Sequence, residues 1–137
     1  MIVLDGEGMT KAIIVSVERA KTQKDAFDIA KSIATSNLIK ILFISLNPNY
    51  EKILSAIGNT NINIKNLSLS INGINIYKNG ELNKNKSDIN KLKDGFNRER
   101  KEHFIVLDCG YNTKYEDYYY FTDMTQEYIS IHCSYNL

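Results

Sequence analysis

A chain of 137 residues, 43% hydrophobic and 24% charged with a net charge of +1, can bury one core without metals or disulfides and is too apolar to be disordered. The balanced charge gives no global attraction to nucleic acid or anionic lipid. Residues 1–8 have no basic region ahead of a long apolar run, so they do not read as a signal peptide. The longest apolar runs, near 12–15 and 41–44, fall far short of the roughly 18 residues that span a bilayer. A cytoplasmic location follows, with the two cysteines, Cys109 and Cys133, as reduced thiols.

In chain order, residues 1–8 are an extra edge strand or a leader, and 9–137 read as a single α/β domain. Ala12-Ile13-Ile14-Val15-Ser16-Val17 is a continuous β-branched run, as expected of a strand buried on both faces. Thr22 then caps a helix with Asp25 three residues on. Ala26, Phe27, Ala30, Ile33 and Ala34 form its apolar stripe. Residues 39–46 form a second apolar run and predict a second buried strand. Asn47-Pro48 reads as a helix start. Tyr50, Ile53, Leu54 and Ile57 supply that helix's buried face, and Gly58 ends it.

The pattern then changes to period two, with Leu67, Leu69 and Ile71 alternating with polar residues. Asn72-Gly73 and Asn79-Gly80 are turn signals on either side of Ile74 and Ile76, which predicts an inserted β-hairpin near 67–78. Ser87-Asp88 can cap a third helix carrying Ile89, Leu92 and Phe96. The mixed-sign run at 98–102 reads as a solvated helix end. His103–Asp108 is a third strand ending in a carboxylate. Tyr118, Phe121, Met124 and Tyr128 fit helical spacing over 115–128, and Ile129–Cys133 closes the chain as a strand. Strands joined through helices predict a three-layer α/β sandwich: a mostly parallel, mixed sheet with helices on both faces.

Ligands of open α/β sheets bind beyond the carboxyl ends of the strands. That rule selects Glu18, Asn47, Asp108 and Cys109, with Ser134 or Tyr135 after the last strand, and Thr22 from the loop after the first. The loop from Glu18 to Lys24 stands where a phosphate loop would stand. It offers Lys21-Thr22 but no glycine, so backbone N–H groups cannot wrap a phosphate there. Asp108 matches the position of a magnesium-holding carboxylate, and equally that of a residue capping the next turn. Cys109 is a candidate nucleophile, with His103 and His132 as the available bases. Asp108, Cys109, His132 and Cys133 do not have zinc-module spacing, and no metal is assigned. Tyr115, Tyr118, Tyr119 and Tyr120 read as an interface, because tyrosine buries much area while keeping a polar tip. Base stacking on them is unfavoured without a basic groove.

Residues 41–48, followed by Ile53 and Leu54, together with the strand Phe104–Asp108, resemble the second core strand and the Walker-B strand of RecA/KaiC-like ATPase domains. The glycine-rich loop is missing, and Asn47 stands where the family usually carries an acid. The resemblance therefore implies a P-loop-deficient, non-catalytic regulatory or protein-interaction domain, a homo-oligomer or a partner of another protein, with residual nucleotide binding as its only cofactor chemistry. The alternative is a small cysteine-dependent enzyme, such as a sulfur-relay protein, working through Cys109.

Overall fold

The computed structural model describes residues 11–44, 49–58, 66–97, 99–122 and 128–129. Its first element is β1 (Ala12–Glu18), followed by α1 (Gln23–Ala34), α2 (Asn37–Ile44) and α3 (Tyr50–Gly58). A meander follows: β2 (Ser68–Ile71), β3 (Ile74–Lys78) and β4 (Glu81–Leu82). Then come α4 (Lys86–Gly95), β5 (Glu102–Asp108), β6 (Asp117–Thr122) and β7 (Tyr128–Ile129). The seven strands form one sheet in the order β4-β3-β2-β5-β1-β6-β7.

Several local signals act as their chemistry dictates. Thr22 sits in extended backbone and its hydroxyl accepts from the Asp25 N–H at 3.0 Å, which caps α1. Asn72 and Gly73, both at positive φ, turn β2 into β3, and Asn79 and Gly80 turn β3 into β4. The cap of α4 is Asn85, whose side chain accepts from the Asp88 N–H at 3.0 Å, two residues ahead of the expected Ser87.

Two elements differ from the sequence expectation. The strand expected over 39–46 is helical over 39–44, within α2, and its last two residues lie outside the described residues. Ile39, Leu42 and Phe43 are buried at helical spacing, while Ile41 is 61% exposed. The Ser36 hydroxyl accepts from the Ile39 N–H at 3.3 Å. A short continuous apolar run fits a buried helix turn as well as a buried strand, and here the serine cap and helix packing decide. The reverse holds at Asp117–Thr122, which is a strand where a helix was expected. The aromatic run Tyr118-Tyr119-Tyr120 suits a pleated, half-buried surface, and it pairs antiparallel with β1 over six positions. The expected helix start at Asn47-Pro48 lies outside the described residues, as does most of the expected strand, 130–133; Ile129 of that strand pairs in β7 together with Tyr128, which was expected to end the helix.

The sheet is mixed, as expected, but not mostly parallel. Of the six pairings among the described residues only β1–β5 is parallel. Nor do the described helices cover both faces. Residues in register share a face, so Ile13, Val15 and Val17 of β1 line up with His103, Ile105 and Leu107 of β5, and all six are buried. The ring of His103 meets Phe43 of α2 and Phe96 just after α4, and Tyr119 of β6 meets Phe27 of α1. Helix α3 packs on α1 and α2. These contacts place the helices on one side. The opposite side, with Ile14, Ser16, Phe104 and Val106, is only partly buried, and Phe104 is 41% exposed. Among the described residues no third layer is seen: burial alternates along β1 and β5, although their sequences are continuously apolar.

Candidate functional site

The carboxyl ends of the two parallel strands abut, with Glu18 directly beside Asp108 in register. After Glu18 the backbone reverses through Arg19 at φ +50°, an uncommon left-handed conformation for a residue with a side chain. This reversal lets the Cys109 N–H donate to the Glu18 carbonyl (2.9 Å) and the Tyr111 N–H to the Arg19 carbonyl (3.1 Å). The guanidinium of Arg19 returns over the strand end, where its Nε donates to Asp108 Oδ1 at 2.9 Å. The same oxygen accepts from the Gly110 N–H at 2.9 Å. Both Arg19 and Asp108 keep solvent access, so the pair orders the turn more than it stabilises it. The hydrogen bond that Arg19 donates to Asp108, and then the Asp108 charge, hold the Arg19 pKa above its ordinary value.

Gly110 is the tight point of the turn. It stands at φ +82°, and a Cβ there would come within 2.6 Å of the Asn66 carbonyl oxygen. Beyond it the chain is tied back to the loop after β1. The Thr113 hydroxyl donates to the Ala20 carbonyl, the Ala20 N–H to the Tyr115 carbonyl (3.0 Å), and the Gln23 amide to the Glu116 carbonyl (2.8 Å). Between the two loops lies an open cleft of about 370 Å³, lined by Glu18, Arg19, Thr113, Lys114 and Glu116. It holds cations and anions together. A second hollow, of about 460 Å³, lies on the β3–β4 hairpin, away from the strand ends.

The expected site residues divide as follows. Glu18 and Asp108 come together. Thr22 stays close in sequence but spends its hydroxyl on the α1 cap. Asn47, His132, Cys133, Ser134 and Tyr135 lie outside the described residues. Tyr118 and Tyr120 are half-buried on the helix-free face and Tyr115 is 45% exposed, whereas Tyr119 packs under α1. Repulsion from the Glu116 carboxylate raises the Tyr118 pKa. Arg19 and Lys114 were not singled out from the sequence. Nothing local marks Arg19, because its partner is 89 residues away.

Cys109 is buried, and burial followed by the Asp108 and Asp25 charges pushes its thiol up to about 11. A thiol so raised is protonated at neutral pH and is a poor nucleophile. Nor does His103 serve it. That ring is fully buried, and desolvation with the nearby Arg100 and Lys11 cations lowers its pKa to about 4. Its Nδ1 is taken by the Asn72 amide at 3.0 Å.

A model of the ArgJ family matches residues 1–137, the whole of the sequence. The chain belongs to the ArgJ family. It is 36% identical over 137 residues to the arginine biosynthesis bifunctional protein ArgJ of Oceanobacillus iheyensis, covering 98% of this chain and 32% of that protein. With the protein of the same name from Prochlorococcus marinus it shares 45% over 85 residues, 61% of this chain and 21% of the relative. The solved structure of arginine biosynthesis bifunctional protein ArgJ from Bacillus halodurans superposes with a TM-score of 0.73 at 24% identity, over 88% of this chain and 55% of that one. At that identity the superposition speaks for the fold alone. The chain spans about a third of the length of the Oceanobacillus relative.

The ArgJ match overturns the RecA/KaiC resemblance and the regulatory, non-catalytic role drawn from it. The two hydrophobic patterns that carried the resemblance have a simpler origin. Residues 41–44 belong to a helix, and Phe104–Asp108 lies in a strand parallel to β1 and antiparallel to β2 whose terminal carboxylate holds a turn. The sulfur-relay alternative falls with it, since the family is a different one and the Cys109 thiol is buried and protonated. Among the described residues no helix is long and apolar enough to cross a membrane.

Proposed function

We propose that this chain serves arginine biosynthesis in the cytoplasm as one section of a bifunctional enzyme of the ArgJ type. The observation that carries this reading is the family match across residues 1–137. Its relatives carry the name arginine biosynthesis bifunctional protein and are about three times longer. The activity then belongs to a larger body, and this section, a single α/β domain over 9–137, contributes part of it.

The cleft at the ends of β1 and β5 is the candidate ligand-contacting surface. Glu18 and Glu116 face it together with Arg19 and Lys114. Both signs of charge in one open cleft suit an amino acid, which carries a carboxylate and an ammonium group. Asp108 supports the cleft through Arg19; Thr22 and Asn47 join the proposal through their sequence positions. Tyr115, Tyr118 and Tyr120 face outward as contacts for a protein partner or a second copy.

The test is to graft this chain in place of the matched third of the Oceanobacillus protein and measure arginine-independent growth of an auxotroph. Glu18→Gln and Lys114→Ala should each slow growth while the grafted protein still accumulates. Growth unchanged by both removes the cleft from the function.

A further inference from the structure

The side of the sheet that the helices leave free has the composition of a buried surface. Tyr120, Ile14 and Phe104 stand in register across the adjacent strands β6, β1 and β5. The next row on this side is Tyr118, Ser16 and Val106. Phe104 is 41% exposed, whereas its chain neighbours His103 and Ile105 on the helix side are fully buried. Charge is confined to the ends, with Glu18 and Asp108 in one terminal row and Glu102 in the other. An apolar centre with charge at the rim is the anatomy of an interface.

We propose that this face is where the domain docks the remainder of an ArgJ-type protein, the section its relatives carry outside the matched third, with Phe104, Ile14 and Tyr120 at the centre of the contact. The inference rests on the functional reading above. Two observations favour this occupant. The helix-covered face is already filled by Phe27, Phe43 and Phe96, so the two thirds of a relative that this chain does not span must pack elsewhere. The area is also small. On ordinary sheet spacings these three strands, of seven, seven and six residues, measure roughly 14 by 20–23 Å, on the order of 300 Å² in projection. A free-standing pair buries about 800 Å² per partner. A second copy seated there alone would hold weakly, whereas a section that adds contacts around the rim is not limited in this way. Docking would supply the sheet with its missing third layer.

The experiment uses the full 137-residue chain and, as probe, the tagged Oceanobacillus ArgJ protein lacking its matched third, produced together. The chain should be captured by the probe, and Phe104→Asp and Ile14→Asp should each lower capture at least tenfold. Lys91→Glu, on the exposed side of α4, should leave capture unchanged. Oxidative footprinting of the unsubstituted chain should show Phe104, Tyr118 and Tyr120 protected when the probe is present, which keeps the test open should either Asp variant fail to fold. Absence of capture overturns the proposal, as does capture indifferent to both Asp variants. So does a homodimer of the chain that Phe104→Asp splits, because a second copy would then be the occupant. Growth and capture are read separately: capture without arginine-independent growth supports the docking face and counts against the functional reading alone.

Discussion

Arg19 and Asp108 stand 89 residues apart in sequence, yet the Arg19 Nε donates to Asp108 Oδ1 at 2.9 Å across the ends of the parallel pair. Because the same oxygen accepts from the Gly110 N–H, removing it frees two donors, of which only the guanidinium has ready access to water. Asp108→Ala should cost about 1–2 kcal/mol, and Asp108→Asn less, because an amide oxygen can still accept from Gly110. Arg19→Gly relieves a left-handed residue of its Cβ while losing only an exposed, solvent-screened ion pair, so it should disturb stability less than Asp108→Ala. Urea denaturation of the three variants checks this order.

Gly110 should tolerate no side chain. Its positive φ disfavours alanine by about 1 kcal/mol, and the new Cβ would press on backbone, the Asn66 carbonyl oxygen at 2.6 Å, which has no rotamer to escape into. Gly110→Ala should destabilise by about 2–4 kcal/mol once overpacking is included. A melting temperature unchanged from the parent would show that the turn is looser than described.

His103 sets an acid limit. The Asn72 amide oxygen accepts from the Phe104 N–H at 2.9 Å, so its nitrogen is the donor to His103 Nδ1, and the ring proton sits on Nε2. That Nε2 has no hydrogen-bond partner among the described residues and lies in a ring cluster with Phe43 and Phe96. With a folded pKa of about 4, below the ordinary 6.5, the unfolded chain takes up a proton that the folded chain refuses. Stability is therefore complete above about pH 6.5 and falls as pH drops toward 4, by roughly 3 kcal/mol from this group at 1.36 kcal/mol per unit. His103→Phe should be less stable than the parent at pH 7, since Asn72 loses an acceptor, yet should lose less stability between pH 7 and 4.5. Parallel pH slopes for the two proteins would contradict the assignment.

Cys109 should resist alkylation. Its thiol is buried and raised to about 11, so iodoacetamide at neutral pH should modify it far more slowly than a free thiol and speed up only with unfolding. Mass spectrometry of the modified peptide reads this directly; rapid modification of the folded chain would restore the thiol as a reactive group.

The elements legible in the sequence are those written in local chemistry. Thr22, Asn72-Gly73 and Asn79-Gly80 each specify a cap or turn through their own backbone and side chain, and Glu18 and Asp108 follow from their places at strand ends. Residues 37–44 and 117–122 were misread because their states are decided by what they pack on. Phe43 is helical against Phe96 and His103, and Tyr119 is extended beside β1 and under Phe27. Continuous apolar strands also suggested two covered faces, a feature that Ile14 and Phe104 would share with a sheet whose second covering is another part of the protein. Arg19 and Lys114 were invisible because only tertiary structure brings the two loops together.

The central claim is that this chain can stand in the place of the matched third of an ArgJ protein. The most direct measurement is growth of an ArgJ-deficient auxotroph on medium without arginine, carrying the Oceanobacillus protein with residues 1–137 of this chain grafted into that third. Growth above that of the same protein with the third deleted is the predicted result. A graft that accumulates as soluble protein and supports no more growth than the deletion would contradict it.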